Sequence, residues 1–107
     1  MRLKKGVSIR GASTETILAI LIVNSIYLDM GYEFVITSCT DGTHGYSSEH
    51  YKGDAFDSRT RHMTEDDVDL LIDNVRSSLG SEFDVVYEPN PPHMHVEYDP
   101  KRPTNEL

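Results

Sequence analysis

Ser48-Glu49-His50-Tyr51-Lys52-Gly53-Asp54-Ala55-Phe56-Asp57, followed downstream by His93-Met94-His95, is the pair of stretches whose spacing decides how this chain is read. A hydrolytic Zn²⁺ takes three protein ligands of the His/His/carboxylate type and keeps one position open for water. His50, Asp57 and His95 supply that set. If His93 and His95 lie on a strand, the period of two points both imidazoles to one face and turns Met94 to the other. One histidine then binds metal while its neighbour reaches substrate. Between His50 and Asp57, Gly53 and Ala55 allow a tight passage from loop into strand, with Gly53 in a backbone conformation closed to other residues.

Working outward, Phe83 to Glu88 and His93 to Tyr98 read as two strands joined by the turn Pro89-Asn90-Pro91-Pro92. Upstream of them, after an Arg59-Thr60-Arg61 turn, Thr64 caps a helix whose first turn, Glu65-Asp66-Asp67, puts acids where the helix dipole favours them. Val68, Leu71, Ile72, Val75 and Leu79 form its buried face and Gly80 closes it. Nearer the start, Val7 to Ile9 reads as a short first strand, and Ser13 or Thr14 caps a helix running to about Met30, with Gly31 as its stop. Its apolar positions Ile17, Leu18, Leu21, Ile22, Ile26 and Leu28 recur at helical spacing and are expected to face the core, because a small domain must bury its one long helix. Glu33 to Ser38 reads as a strand. The ten residues Cys39 to Ser48, dense in Gly, Ser, Thr and Asp, form a loop of the length and composition that more often carries function.

The pattern is α+β, and 107 residues suffice for one domain, 1–107, with a single core. Eighteen acidic and ten basic side chains give a formal charge of −8. The basic residues are scattered, apart from Arg2, Lys4 and Lys5 at the start and the Arg59/Arg61 pair. That balance argues against a nucleic-acid groove, which needs a concentrated positive field, and is easier to reconcile with a small neutral or cationic substrate. Cys39 is the one cysteine, so an internal disulfide is excluded, and it is expected as a small half-buried residue at a strand end. The apolar run Ile17 to Val23 is far shorter than the roughly twenty residues a bilayer span needs. The sequence therefore reads as a leaderless protein made in the cytoplasm, a monomer without a membrane partner.

SEHYKGDAFD fits the S-x-H-x-x-G-x-A-x-D signature of the zinc D-Ala-D-Ala carboxypeptidase and endolysin peptidase family, which shares its fold with the Hedgehog signalling domain and with D-Ala-D-Ala dipeptidases. Chance agreement at the signature's fixed positions is on the order of ~10⁻⁴ or below for a chain this short. The resemblance is strongest to small phage-type members, in which T-S-x-x-D-G-x-H precedes the signature, R-T-R follows it and H-x-H-x-E-Y-D-P closes the site. This chain has all three, as TSCTDGTH, SRTRHM and HMHVEYDP. The resemblance implies a Hedgehog/DD-peptidase-like fold with a small, mainly antiparallel sheet and two main helices. It also implies a Zn²⁺-dependent hydrolase that cuts an amide bond in the peptidoglycan stem peptide. An endolysin acting on the cell wall, after holin-mediated release or as part of a virion, is expected, with a D-Ala-D-Ala carboxypeptidase or dipeptidase or a zinc-stabilised binding module as the alternatives.

Roles follow from the same resemblance. His93, the first histidine of H-x-H, is the acid/base or intermediate-stabilising partner. Several relatives have a catalytic carboxylate three residues before the final histidine ligand, where this chain has Pro92; Glu88 is the nearest upstream acid and the second candidate base. Glu97 shares a face with His93 and His95 if no bulge intervenes, and either orients an imidazole or forms a surface pair. Ser48 supports the loop beside the ligand histidine and His44 lies near the cleft, and both are taken as substrate-binding; apart from the resemblance, guanidinium chemistry lets Arg59 or Arg61 clamp a terminal carboxylate, with Arg61 taken as substrate-binding.

Overall fold

A computed structural model describes residues 1–40 and 53–100. The elements run β1 (Arg2–Leu3), α1 (Thr14–Asp29), β2 (Val35–Ser38), β3 (Ala55–Arg59), α2 (Glu65–Leu79), β4 (Phe83–Pro89) and β5 (Pro92–Tyr98). The strands form one sheet in the order β1-β2-β3-β5-β4, in which β1 and β2 are parallel and the other pairs antiparallel. The architecture is thus α+β, with two helices against a five-stranded, mostly antiparallel sheet.

Strand alternation divides that sheet into a covered and an open face. Phe56 and Ser58 on β3, Met94 and Val96 on β5 and Val85 on β4 are buried beneath the helices. Asp57 and Arg59, His93, His95 and Glu97, and Val86 and Glu88 point the other way, as the period of two requires. The core joins the covered face to Ala19, Ile20, Val23 and Tyr27 of α1 and to Leu71, Ile72 and Val75 of α2.

The helix ends follow their sequence signals. Ser13 Oγ accepts the amide of Thr16 at 3.2 Å, and Thr64 Oγ1 accepts that of Asp67 at 3.2 Å. Arg76, in the last turn of α2, donates from Nη2 to the Val85 carbonyl at 2.7 Å and so ties the helix to β4.

Three expectations are corrected. The exposed stripe of α1 is Leu18, Leu21, Ile22 and Leu28, at 55, 53, 40 and 58 % exposure, while Thr16, Ala19, Ile20, Val23 and Tyr27 are buried; Ile17 and Ile26 lie between. This helix is apolar around its whole circumference, so periodicity selects no face. The buried side is the one that carries Tyr27, whose hydroxyl lies 2.9 Å from Ser58 Oγ and donates to the Arg59 carbonyl at 2.9 Å. Because that hydroxyl has a single proton, Ser58 is the donor in the first bond.

The first strand is Arg2–Leu3 rather than Val7 to Ile9. Gly6, at φ 89°, turns the chain after Lys4, and Val7 and Ile9 fold back against the core instead of extending the sheet. Cys39 is fully buried rather than half-buried, directly after β2. No helix among the described residues is long and apolar enough to cross a membrane.

Candidate metal centre

β3 and β5 bring the two halves of the sequence pattern together. Their register pairs Asp57 with His95, Arg59 with His93 and Ala55 with Glu97. On the far side of β5, β4 pairs Val86 with His95 and Glu88 with His93. Two cross-strand rows result on the open face: Val86, His95 and Asp57 in one, Glu88, His93 and Arg59 in the next.

Gly53 sets the entry into β3. It has φ 79°, and a Cβ there would stand 2.4 Å from the Gly11 carbonyl oxygen, so both conformation and space exclude a side chain. The Gly53 carbonyl in turn accepts the Ser13 amide at 2.9 Å. The loop that launches α1 is thereby fastened to the segment that delivers Asp57. On the other flank two residues of β2 oppose one step of β3, since Ile36 pairs with Ser58 and Ser38 with Asp57; this bulge brings Ser38 beside the carboxylate.

His95 Nδ1 lies 2.8 Å from Asp57 Oδ1, and His95 Nε2 lies 2.7 Å from Glu97 Oε1. Each ring nitrogen therefore faces a carboxylate. The Asp57 bond above all, reinforced by Glu97 and opposed by burial, holds the imidazole protonated and pushes its pKa up to about 9. A proton on Nδ1 satisfies Asp57. The donor set is nitrogen and oxygen, and the remaining imidazole nitrogen is fixed by a carboxylate, as is usual behind a zinc ligand. The residues on this face fit Zn²⁺.

His93 is held differently. Its Nδ1 donates to the Pro91 carbonyl at 2.6 Å, which leaves Nε2 to carry the lone pair of the neutral ring. Nε2 stands 3.5 Å from Glu88 Oε1 and 3.9 Å from Asp57 Oδ2. Two carboxylates therefore face this nitrogen, one from β3 and one from β4. Glu88 lies on β4, in the strand expected from Phe83 to Glu88, and its side chain is 51 % exposed.

A cleft of about 380 Å³ opens over these residues, lined by Lys4, Thr37, Ser38, Asp57, Arg59, Arg61, Pro91, Pro92 and His93. A second, of about 400 Å³ and bordered by Met63, Val68 and Tyr87, shares Arg61 and Pro92 with it. The sequence reading gave no place in the site to Lys4, whose number lies far from the motif. Arg59 reaches the cleft from β3 itself and not from a turn.

Of the sequence-derived site residues, Asp57, His93, His95, Glu88 and Arg61 are placed on or beside this face. His44, Ser48 and His50, with the rest of 41–52, lie outside the described residues. Glu97 also belongs to a separate acidic group with Asp84 and Asp99, whose carboxylate oxygens lie within 4.8 Å of one another. No protein-family model, no curated protein and no solved structure matches this chain.

Proposed function

We propose that this chain is a zinc metallopeptidase of the Hedgehog/DD-peptidase fold, hydrolysing an amide bond in the stem peptide of bacterial peptidoglycan in the manner of a small phage-type endolysin. The observation that carries the proposal is the Asp57–His95 pair at 2.8 Å, with His93 beside it on the same open face. That residues 38 positions apart along the chain meet here supports reading the S-x-H-x-x-G-x-A-x-D and H-x-H motifs as two parts of one site.

Asp57 and His95, together with His50, would hold the ion, which when bound supplies a Lewis acid and an activated water. Glu97 fixes the tautomer of His95 by holding Nε2. His93, anchored through Nδ1, uses Nε2 to accept the proton lost by the attacking water or to stabilise the charge that develops on the scissile carbonyl. Glu88, 3.5 Å from that nitrogen, either orients His93 or serves as the base itself. Arg61 holds substrate from the rim of the cleft.

A D-Ala-D-Ala carboxypeptidase is the second reading, favoured by Arg61 on the cleft, because a guanidinium clamps a terminal carboxylate bidentately. Elemental analysis of the purified protein, followed by digestion of muropeptides and weighing of the products, decides between them. Stoichiometric zinc with a cut stem supports the endolysin, and free D-alanine with an uncut stem supports the carboxypeptidase. Zinc without turnover leaves a metal-stabilised binding module and ends the enzymatic proposal.

A further inference from the structure

In a chain whose formal charge is −8, one cleft gathers three of the ten basic residues. Lys4 arrives from the end of β1, Arg59 from β3 and Arg61 from just beyond it, against a single lining carboxylate, Asp57, which is itself engaged with His95. Among the described residues no ion pair or hydrogen bond engages the side chain of Lys4, Arg59 or Arg61. Converging like charges raise the free energy of the empty protein, and an anion lowers it. The sheet thus reverses, at one place, the field that overall composition implies, and an anionic ligand replaces the neutral or cationic one expected from net charge.

We infer that the cleft bounded by Lys4, Arg59 and Arg61 is a carboxylate subsite, taking a carboxylate that the ligand carries next to the bond held over Asp57 and His93. The inference deepens the peptidase proposal and rests on it for the identity of that bond. The volume, about 380 Å³, accommodates one or two peptide residues. Arg59 stands directly across from His93 in the strand register, so an anion on its guanidinium lies one residue pair from Asp57 and His95. Planar guanidinium groups pair bidentately with a carboxylate, and Thr37 and Ser38 supply a polar wall. The carboxylate is either the chain terminus of the peptide or the side chain of an acidic residue.

Titration of the full-length, metal-free, ¹⁵N-labelled chain with small probes tests this without any need for turnover. N-acetyl-D-alanine presents a terminal carboxylate, N-acetyl-D-isoglutamine a side-chain carboxylate, and N-acetyl-D-alaninamide neither. One or both acids should bind with shifts at Lys4, Arg59 and Arg61, and the amide about tenfold or more weakly. Whichever acid binds more tightly identifies the source of the carboxylate. Arg59→Gln and Arg61→Gln should each weaken acid binding by about tenfold and leave the amide unchanged, and Arg61→Lys should recover part of the loss. Equal binding of acid and amide would overturn the proposal. So would full acid affinity in the folded Gln variants, or inorganic phosphate binding where both acids fail. If a variant does not fold, the acid-to-amide comparison in the unaltered chain decides by itself. Absence of muropeptide hydrolysis with zinc would defeat the peptidase reading and leave this binding result standing.

Discussion

Asp57 and His95 face each other across β3 and β5 with 2.8 Å between Oδ1 and Nδ1, a distance at which the imidazole donates its proton in a hydrogen bond to the carboxylate.

That proton gives the site a pH signature. His95 is raised from 6.5 to about 9 by Asp57 and, after it, Glu97. A raised folded-state pKa contributes stability that is fully present below 6.5 and is lost as pH climbs through about 9. Urea midpoints of the metal-free protein should therefore fall across that window. Zinc must displace the same proton, so its affinity should rise by up to about tenfold per pH unit there, as read by chelator competition. A flat profile in both measurements would mean that His95 is not the titrating group.

Glu97→Gln keeps the shape of the side chain and removes the charge behind His95 Nε2. Zinc affinity or activity should drop by about 10- to 100-fold while circular dichroism stays unchanged. An unaltered affinity would reduce Glu97 to a surface pair.

His93→Ala and Glu88→Gln separate the two candidate bases. The substitution that removes the base should lower kcat by about 10²- to 10⁴-fold at constant zinc content, and the other should act more mildly. Loss of metal in His93→Ala would make that imidazole a ligand instead.

Tyr27→Phe deletes the hydroxyl that serves both Ser58 and the Arg59 carbonyl. Burial pushes the pKa of this phenol up to about 12, so it stays a neutral donor throughout the working range. Leaving two buried partners unsatisfied should cost about 1–3 kcal/mol in urea unfolding. A neutral result would place water in the gap.

On α1, Leu21→Gln and Ile20→Ala distinguish the exposed face from the buried one. Leu21 is 53 % exposed and Ile20 2 %. The first change should stay within about 0.5 kcal/mol and the second should cost about 2–5 kcal/mol. Reversed magnitudes would restore the face that periodicity suggested.

How much was legible follows from where each signal is stored. Caps and stops are local, so Ser13, Thr64 and Gly80 could be read directly, and so could the alternation that puts His93, His95 and Glu97 on one face. Gly53 was legible too, because a glycine between loop and strand has few other uses. The face of α1 was not, since Leu18 and Ile20 have the same affinity for a core and only the partner of Tyr27 decides between them. That Lys4 joins Arg59 and Arg61 in one cleft was not legible either, because pairing of β1 with β2, and of β2 with β3, is what assembles them. That pairing is a long-range property which no window of residues contains.

Interleaving along β3 and β5 has an evolutionary price. Chemistry sits at positions 57, 93 and 95, and the hydrocarbon that holds the protein together sits at 56, 94 and 96. Point changes at either set can be sampled separately, whereas losing or gaining one residue within a strand would exchange them, turning imidazoles inward and Met94 and Val96 out to water. Lineages carrying this segment should therefore vary in letters but not in length between its two histidines and Tyr98.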